Sequence, residues 1–450
     1  LRRIAFFIST FLLFSFAACK SDSDVLAEAK GFKITRGEFN NWLETRRLPV
    51  KSIKKTKNSQ KNYLRRMAVE KLTWEKYQNS ERKNDPDLAL LEKVVYKNFL
   101  AGYYVKDIRE NVTFNEKSAD ISIIKVPYGK LPKKPKGKEA LKETGKELML
   151  EVILPSLKKG EAFEKIAKEH SFDFSRKKGG HVGYIAGTMM GEEIASAVKG
   201  LKAGEYTRRP VKVRNSLYLV RLNKVTDITN DNIESVVKDK RNRSGLKRYI
   251  VSKSVRDHVS SLEKKYSTVN NIDKARFAGA GEVLFKVGDE VFKNSDLDRL
   301  IKMFYKLRFG YVPEKMVDKR KKIATAKRIF SERLLCADAE NAGVSKKDAF
   351  VEKWEDVKVS AITGAYKFSE ISSGVSVNDS DVRAEYKKNK DKRYSRRKGK
   401  KKVVLPFSKV RESIKGRLFS MKINNLKRKW DSDLVKESGF KVVESKLEGK

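Results

Sequence analysis

Cysteine and histidine are scarce in this 450-residue chain: Cys19, Cys336, His170, His181 and His258 are the full set. Cys19 closes a leader-like segment, so no second thiol is left for an intramolecular disulfide framework. The run L-L-C-A-D around Cys336 reads as a buried helix position. One thiol and three scattered imidazoles offer no zinc spacing, and neither a metal nor a cofactor is expected. Acidic residues are also outnumbered, 58 against 102 Lys and Arg, which gives a formal net charge of +44. Such an excess attracts polyanions. It is spread along the chain, with denser runs at YGKLPKKPKGK (128–138) and YKKNKDKRYSRRKGKK (386–401). No zinc-finger spacing or Arg-rich recognition helix accompanies them, so a nucleic-acid partner is not expected. The expected partners are an anionic membrane surface and acidic or unfolded exported chains.

Long apolar runs are absent but for one. LRRIAFFISTFLLFSFAA (1–18) begins with Arg2 and Arg3 and continues almost without polar interruption to Ala17-Ala18. The apolar stretch rises about 22 Å as a helix, short of the roughly 30 Å hydrocarbon core of a bilayer. A basic start, a short apolar core and small residues at the end make a secretory signal over 1–18. The small pair before Cys19 resembles the lipobox of bacterial lipoproteins, which implies acylation of the Cys19 thiol. A lipid-anchored, exported protein is expected, on the periplasmic side of a bacterial membrane or at the cell surface.

The chain is long enough for several domains, and two stretches of it look alike. VLAEAKGFKITRGEFNNWLE (25–44) reads as a hairpin followed by a helix capped by Thr35, with Glu38 three residues on. VLFKVGDEVFKNSDLDRLIK (283–302) repeats the opening Val-Leu, the turn glycine, a polar cap at Asn294-Ser295 and an amphipathic helix. LRRMAVEKLTWEKYQN (64–79) is answered by AKRIFSERLLCADAEN (326–341), and NVTFNEKSA (111–119) by GVSVNDSDV (374–382). An amphipathic helix cannot bury its stripe alone, so two such units are expected to pack on each other or to form two arms of a cradle. The second copy ends in a long helical pattern from about Phe407 to Glu437, stopped by Gly439.

Between the copies lies an insertion with a different pattern. ADISIIKVPYG (119–129) reads as a strand, 139–157 and GEAFEKIAKEHS (160–171) as helices, HVGYI as a strand after Gly179-Gly180, 192–198 as a short helix, and VKVRNSLYLVRL as a strand pair. This order predicts a small antiparallel sheet covered by helices.

Here the sequence resembles the parvulin family of peptidyl-prolyl isomerases. The matching features are Phe163, the Ser171-x-Asp173 step, Gly179-Gly180, the apolar helix Ile194 to Val198, Gly204-Glu205 and Pro210-Val211. The resemblance implies an apolar cup for a proline ring, at Met189 and Ile194, backed by a hydrogen-bonded cluster of two histidines and a Cys or Asp. Asp173 matches the last of these. Ser122 and Tyr218 stand where the two histidines belong, while His170 falls at a helix end and His181 at a turn outside the cluster. Rotation about X-Pro has a barrier of order 20 kcal/mol. Lowering it requires favouring the twisted amide over the planar one. A site without its imidazoles is therefore expected to be degenerate: no catalytic residue is assigned, and isomerase activity is expected to be weak or absent.

Around the insertion the chain resembles the periplasmic folding factors of the SurA and PrsA type, and is similar to parvulin-domain lipoproteins of spirochaetes. The expected fold class is α+β: mostly helical chaperone modules carrying one parvulin-like domain. The expected boundaries are a signal over 1–18, an N-terminal helical module over 19–118, the parvulin-like domain over 119–226, a helical linker over 227–282, and a C-terminal module over 283–450 that partly repeats the first. The expected function is a chaperone holding unfolded exported or outer-membrane proteins. An active isomerase and a surface adhesin or structural lipoprotein are the alternatives. The sequence sets no oligomeric state.

Overall fold

The computed structural model describes residues 24–46, 48–131, 144–275, 278–310, 319–398 and 401–448. The predicted signal and Cys19 lie outside the described residues. The chain forms two compact units, one made of the residues up to Tyr103 together with Tyr266 onward, the other of Tyr104–Lys265.

The first unit is mostly helical. Its opening hairpin pairs Val25–Ala29 with Phe32–Thr35 around Gly31, whose φ of 91° suits glycine. Thr35 then caps the helix Arg36–Thr45. Its Oγ1 accepts from the Glu38 N–H at 3.3 Å, and Glu38 Oε2 accepts from the Thr35 N–H at 2.9 Å, the reciprocal box that the sequence predicts. The hairpin is completed from the far end of the chain: Ala27 pairs with Val442 and Glu28 with Lys441. Leu26, Ile34, Phe39, Leu43 and Leu64 bury one core with Leu447.

The second hairpin, Val283–Val287 with Glu290–Lys293, gains Val269–Asn270 as its third strand. Its cap differs from the prediction. The helix begins at Asn294 itself, and Asp296 Oδ2 accepts from the Lys293 N–H at 2.8 Å. Asn294 is buried and donates from Nδ2 to the Ala278 carbonyl at 2.7 Å, so its side chain ties down a loop instead of capping.

The long helix that holds the first of the repeated segments packs on helices outside the repeat. Lys57–Gln78 lies against Asp348–Ser372 and Phe407–Glu437, with Tyr77 and Tyr366 rings 5.4 Å apart. Phe350 is wholly buried against Phe99 and Tyr103. Cys336 sits in the helix Lys319–Asn341, buried as expected, and its thiol donates to the Lys97 carbonyl at 3.0 Å. The third pair of repeated segments parts company. Asn115 onward is a strand, whereas Asn378 caps the helix Asp379–Arg393 by accepting from the Asp381 N–H at 2.8 Å.

The second unit is built on a four-stranded antiparallel sheet. Its elements are β1 (Asn115–Pro127), α1 (Phe163–His170), β2 (His181–Ala186), α2 (Glu192–Lys199), β3 (Val211–Val213), β4 (Ser216–Thr229) and α3 (Lys240–Lys265). The strand order is β2–β1–β4–β3. Between β1 and α1 the chain is helical from Gly145 to Lys158, with a π turn at Met149–Ile153. One apolar layer joins Ile124, Val126, Leu217 and Leu219 to Leu148, Phe163 and Ile166. A second joins Ile121, Ile123, Val220 and Leu222 to Ile194. Helix α3 closes the domain through Leu246 and Ile250 against Tyr184 and Ile228.

Candidate functional site

The alternation of a strand decides what the sheet offers on each face. Along β1, Ile121 and Ile123 point to the α2 layer, and Ile124 and Val126 to the α1 layer. Along β4, Val220 and Leu222 take the first side, Leu217 and Leu219 the second. Asp120, Ser122, Arg221 and Asn223 therefore fall on the α1 side, and Lys125 and Tyr218 on the α2 side.

On the α1 side these residues line a cleft of about 490 Å³ with Glu164, Lys178 and His181. His181 Nε2 lies 2.7 Å from Asp120 Oδ1. The Asn223 amide donates to Ser122 Oγ at 3.2 Å and accepts from Arg221 Nε at 3.2 Å. The Arg221 guanidinium also pairs with Glu164 and lies 5.1 Å from the centre of the Phe163 ring. That hydrogen bond from Arg221 holds the Glu164 carboxyl below the usual carboxylate range, against the opposing effect of its partial burial. His181 is on a strand and not at the turn that the sequence suggests, and it stays on the opposite face of the sheet from Tyr218. It is the first residue of β2 and pairs in register with Ser122. The cleft is lined by polar, charged and glycine residues alone. It provides an imidazole and a carboxylate but no apolar wall for a proline ring.

The α2 side is the reverse. Met189 and Tyr218 pack partly buried against the Ile121–Ile194 layer. Ile194 is 0 % exposed and serves as core, presenting no surface of its own. Beside them runs a groove of about 510 Å³ whose apolar lining includes Ile185, Ala195, Val198, Leu201, Leu222 and Val225. Asp173 stands at the edge of the sheet. Its Oδ1 accepts from the Ser175 N–H at 2.9 Å and the Ser175 hydroxyl at 2.8 Å, capping its own turn. Ser171 Oγ accepts from the N–H groups of Lys125 and Asp173, and the Phe172 N–H donates to the Lys125 carbonyl at 2.7 Å. Lys125 in turn pairs with Tyr218, its ammonium 5.7 Å from the ring centre. Asp173 and Tyr218 thus share Lys125 as a neighbour, whereas Ser122 lies through the sheet from both. Phe172 and Phe174, on the Asp173 turn, are exposed, Phe174 completely. Among the described residues no cluster of His, Cys, Asp and Glu is placed to hold a metal ion.

A protein-family model described only as ":-like" matches residues 3–276, more than half of the chain. Foldase protein PrsA of Geobacillus kaustophilus is 29% identical over 227 residues, covering 48% of this chain and 75% of its own. Periplasmic chaperone PpiD of Buchnera aphidicola is 33% identical over 129 residues, 27% of this chain and 19% of its own. The solved structure of peptidylprolyl isomerase PrsA from Bacillus cereus covers 52% of this chain and 87% of its own at 21% identity, with a TM-score of 0.22. The chain belongs to the parvulin-domain folding factors of the SurA and PrsA type. Its own architecture is mostly helical α+β, and its relatives support a chaperone role in protein folding.

Sequence reasoning about this folding factor missed Asp120, Asn223 and Arg221, and set His181 aside. The signal was present in part, since Asp120 and Ser122, like Arg221 and Asn223, are two apart and share a strand face. What was missing was register. Irregularities in the β1 pairings fall between Asp120 and Ser122 and set which residue of β2 or β4 meets each of them.

Proposed function

We propose that this chain is an extracytoplasmic chaperone that holds unfolded exported proteins, with little or no prolyl isomerase activity. One observation carries the proposal: the imidazole-bearing cluster around Asp120 and His181 and the apolar surface around Met189 lie on opposite faces of one sheet. Catalysis of X-Pro rotation needs an apolar seat and polar groups acting on the same amide, because only differential stabilisation of the twisted form speeds it. A binding surface has no such requirement. The apolar groove beside α2 and the bare rings of Phe172 and Phe174 are sites for weak, exchangeable contacts with unfolded segments. A net charge of +44 adds attraction for acidic clients and for an anionic membrane surface. Acylation at Cys19 would keep the chaperone beside emerging exported chains.

The test uses the lipid-free chain in two assays, isomerisation of a proline peptide and aggregation of an unfolded outer-membrane protein. Aggregation is expected to be suppressed at physiological salt. Isomerisation is expected to stay near its uncatalysed rate, and Asp173→Ala should change neither result. Strong prolyl turnover that disappears in Asp173→Ala would establish the enzyme instead.

A further inference from the structure

The helical unit contains a second cleft, of about 340 Å³, between the helices Lys57–Gln78, Asp348–Ser372 and Phe407–Glu437. Its acidic residues are already engaged. Glu70 pairs with Arg46 and accepts from the Trp42 indole at 3.2 Å, and Asp431 pairs with Lys367. Thr73 is engaged as well, donating to the Val69 carbonyl at 2.7 Å and accepting from the Trp430 indole at 3.4 Å. Two features remain without an ionic or hydrogen-bonded counterpart. Arg65 and Arg66 stand exposed in the lining, and neither makes an ion pair among the described residues, although the Arg66 guanidinium lies 4.9 Å from the centre of the Tyr63 ring. Thr363, also in the lining, is 5% exposed, and its hydroxyl has no hydrogen-bond partner. A buried hydroxyl without a partner in the lining is a donor open to an acceptor that enters the cleft.

We infer that this cleft binds the carboxylate of an extended client segment. Two guanidinium groups present forked donors that match a carboxylate, and the Thr363 hydroxyl adds a donor from within. Val69, buried in the same lining, gives the methylene carbons of an acidic side chain an apolar wall. The inference rests on the holding function proposed above and names the chemistry of the segment held. The carboxylate comes from a Glu or Asp side chain or from a chain terminus.

The probe is a seven-residue Gly/Ser peptide with one central glutamate, a blocked C-terminus and an uncharged dye, titrated by fluorescence anisotropy against the lipid-free full chain at physiological salt. The glutamine counterpart should bind at least tenfold more weakly. A glutamine peptide with a free C-terminus separates the two sources of the carboxylate. Arg65→Gln/Arg66→Gln should weaken the glutamate peptide at least tenfold. Thr363→Val, which leaves every charge in place, should weaken it at least threefold, with Thr363→Ser restoring it. Lys387→Gln/Lys388→Gln, which removes the same charge away from the cleft lining, should leave binding unchanged. The inference is overturned if Thr363→Val and the double arginine variant bind like the parent, or if the lysine variant loses as much as the arginine one. Suppression of aggregation without this pattern removes the carboxylate site and leaves the holding function. The pattern without suppression removes the holding function and leaves a carboxylate site.

Discussion

Single residues show how little reactive chemistry the chain exposes. Burial pushes the Cys336 thiol up to about 12, so at neutral pH it carries almost no thiolate. In a Cys19→Ser chain, a disulfide reagent at pH 8 is expected to find no reactive thiol in the folded protein and one after denaturation. Rapid labelling of the folded chain would contradict this placement. Asp239 shows the opposite shift. The Lys178 ammonium, 2.9 Å away, and the N–H groups of Asn242 and Arg241 lower its carboxyl from 3.8 to about 2. A depressed carboxyl contributes stability above its unfolded value that is lost as pH falls through the folded one. Here that window runs from about 4 to about 2. A carboxyl-resolved NMR titration should place Asp239 near 2, and Lys178→Ala should raise it; an ordinary value in the parent would refute the contact. The burial of Cys336 was legible from its apolar neighbours. The role of His181 was not, because its partners are set by strand pairing.

At the scale of elements, the Gly179-Gly180 turn is a support of the fold. Gly180 has a φ of 85°, and a Cβ there would lie 2.5 Å from the Ile123 carbonyl oxygen. That oxygen belongs to β1, so it cannot move aside as a flexible side chain would. Gly180→Ala is expected to destabilise the inserted domain by about 1–3 kcal/mol, from the strained backbone conformation and the displaced strand together. Chemical denaturation followed by the sheet's far-UV signal measures it; an unchanged midpoint would show that the turn has slack. Local signals of this kind read well from sequence. The double glycine, the Thr35–Glu38 box and the order of strands and helices between 119 and 229 all depend on neighbours in the chain. The start of the helix at Asn294 did not read well, because the buried bond from its side chain to Ala278 competes with capping and wins. The segments 111–119 and 374–382 look alike, yet one becomes sheet and the other helix, since only the first has a partner strand to pair with.

At the scale of the whole molecule, the holding surfaces proposed above are apolar while the chain carries a formal net charge of +44, and salt separates the two. Attraction between exposed charges is screened beyond about 8 Å at physiological ionic strength, whereas apolar contact is not weakened by salt. Aggregation suppression, judged by light scattering at fixed chaperone excess, is therefore expected to fall by less than about half between roughly 50 and 300 mM salt. A complete loss would assign the holding to charge alone. The presence of an insertion was legible in the change of pattern after residue 119, whereas the closure of the helical unit depends on pairing between distant residues, which no local pattern encodes.

The pairing of Ala27 with Val442 sets an order of events in folding. The opening hairpin waits for a strand that lies beyond the whole inserted domain in sequence, so the helical unit cannot close on its first half alone. The inserted sheet uses residues 115–229 alone and is free to form before then. Assembly is thereby staged, with the middle of the sequence able to finish while the unit that brackets it still lacks a strand.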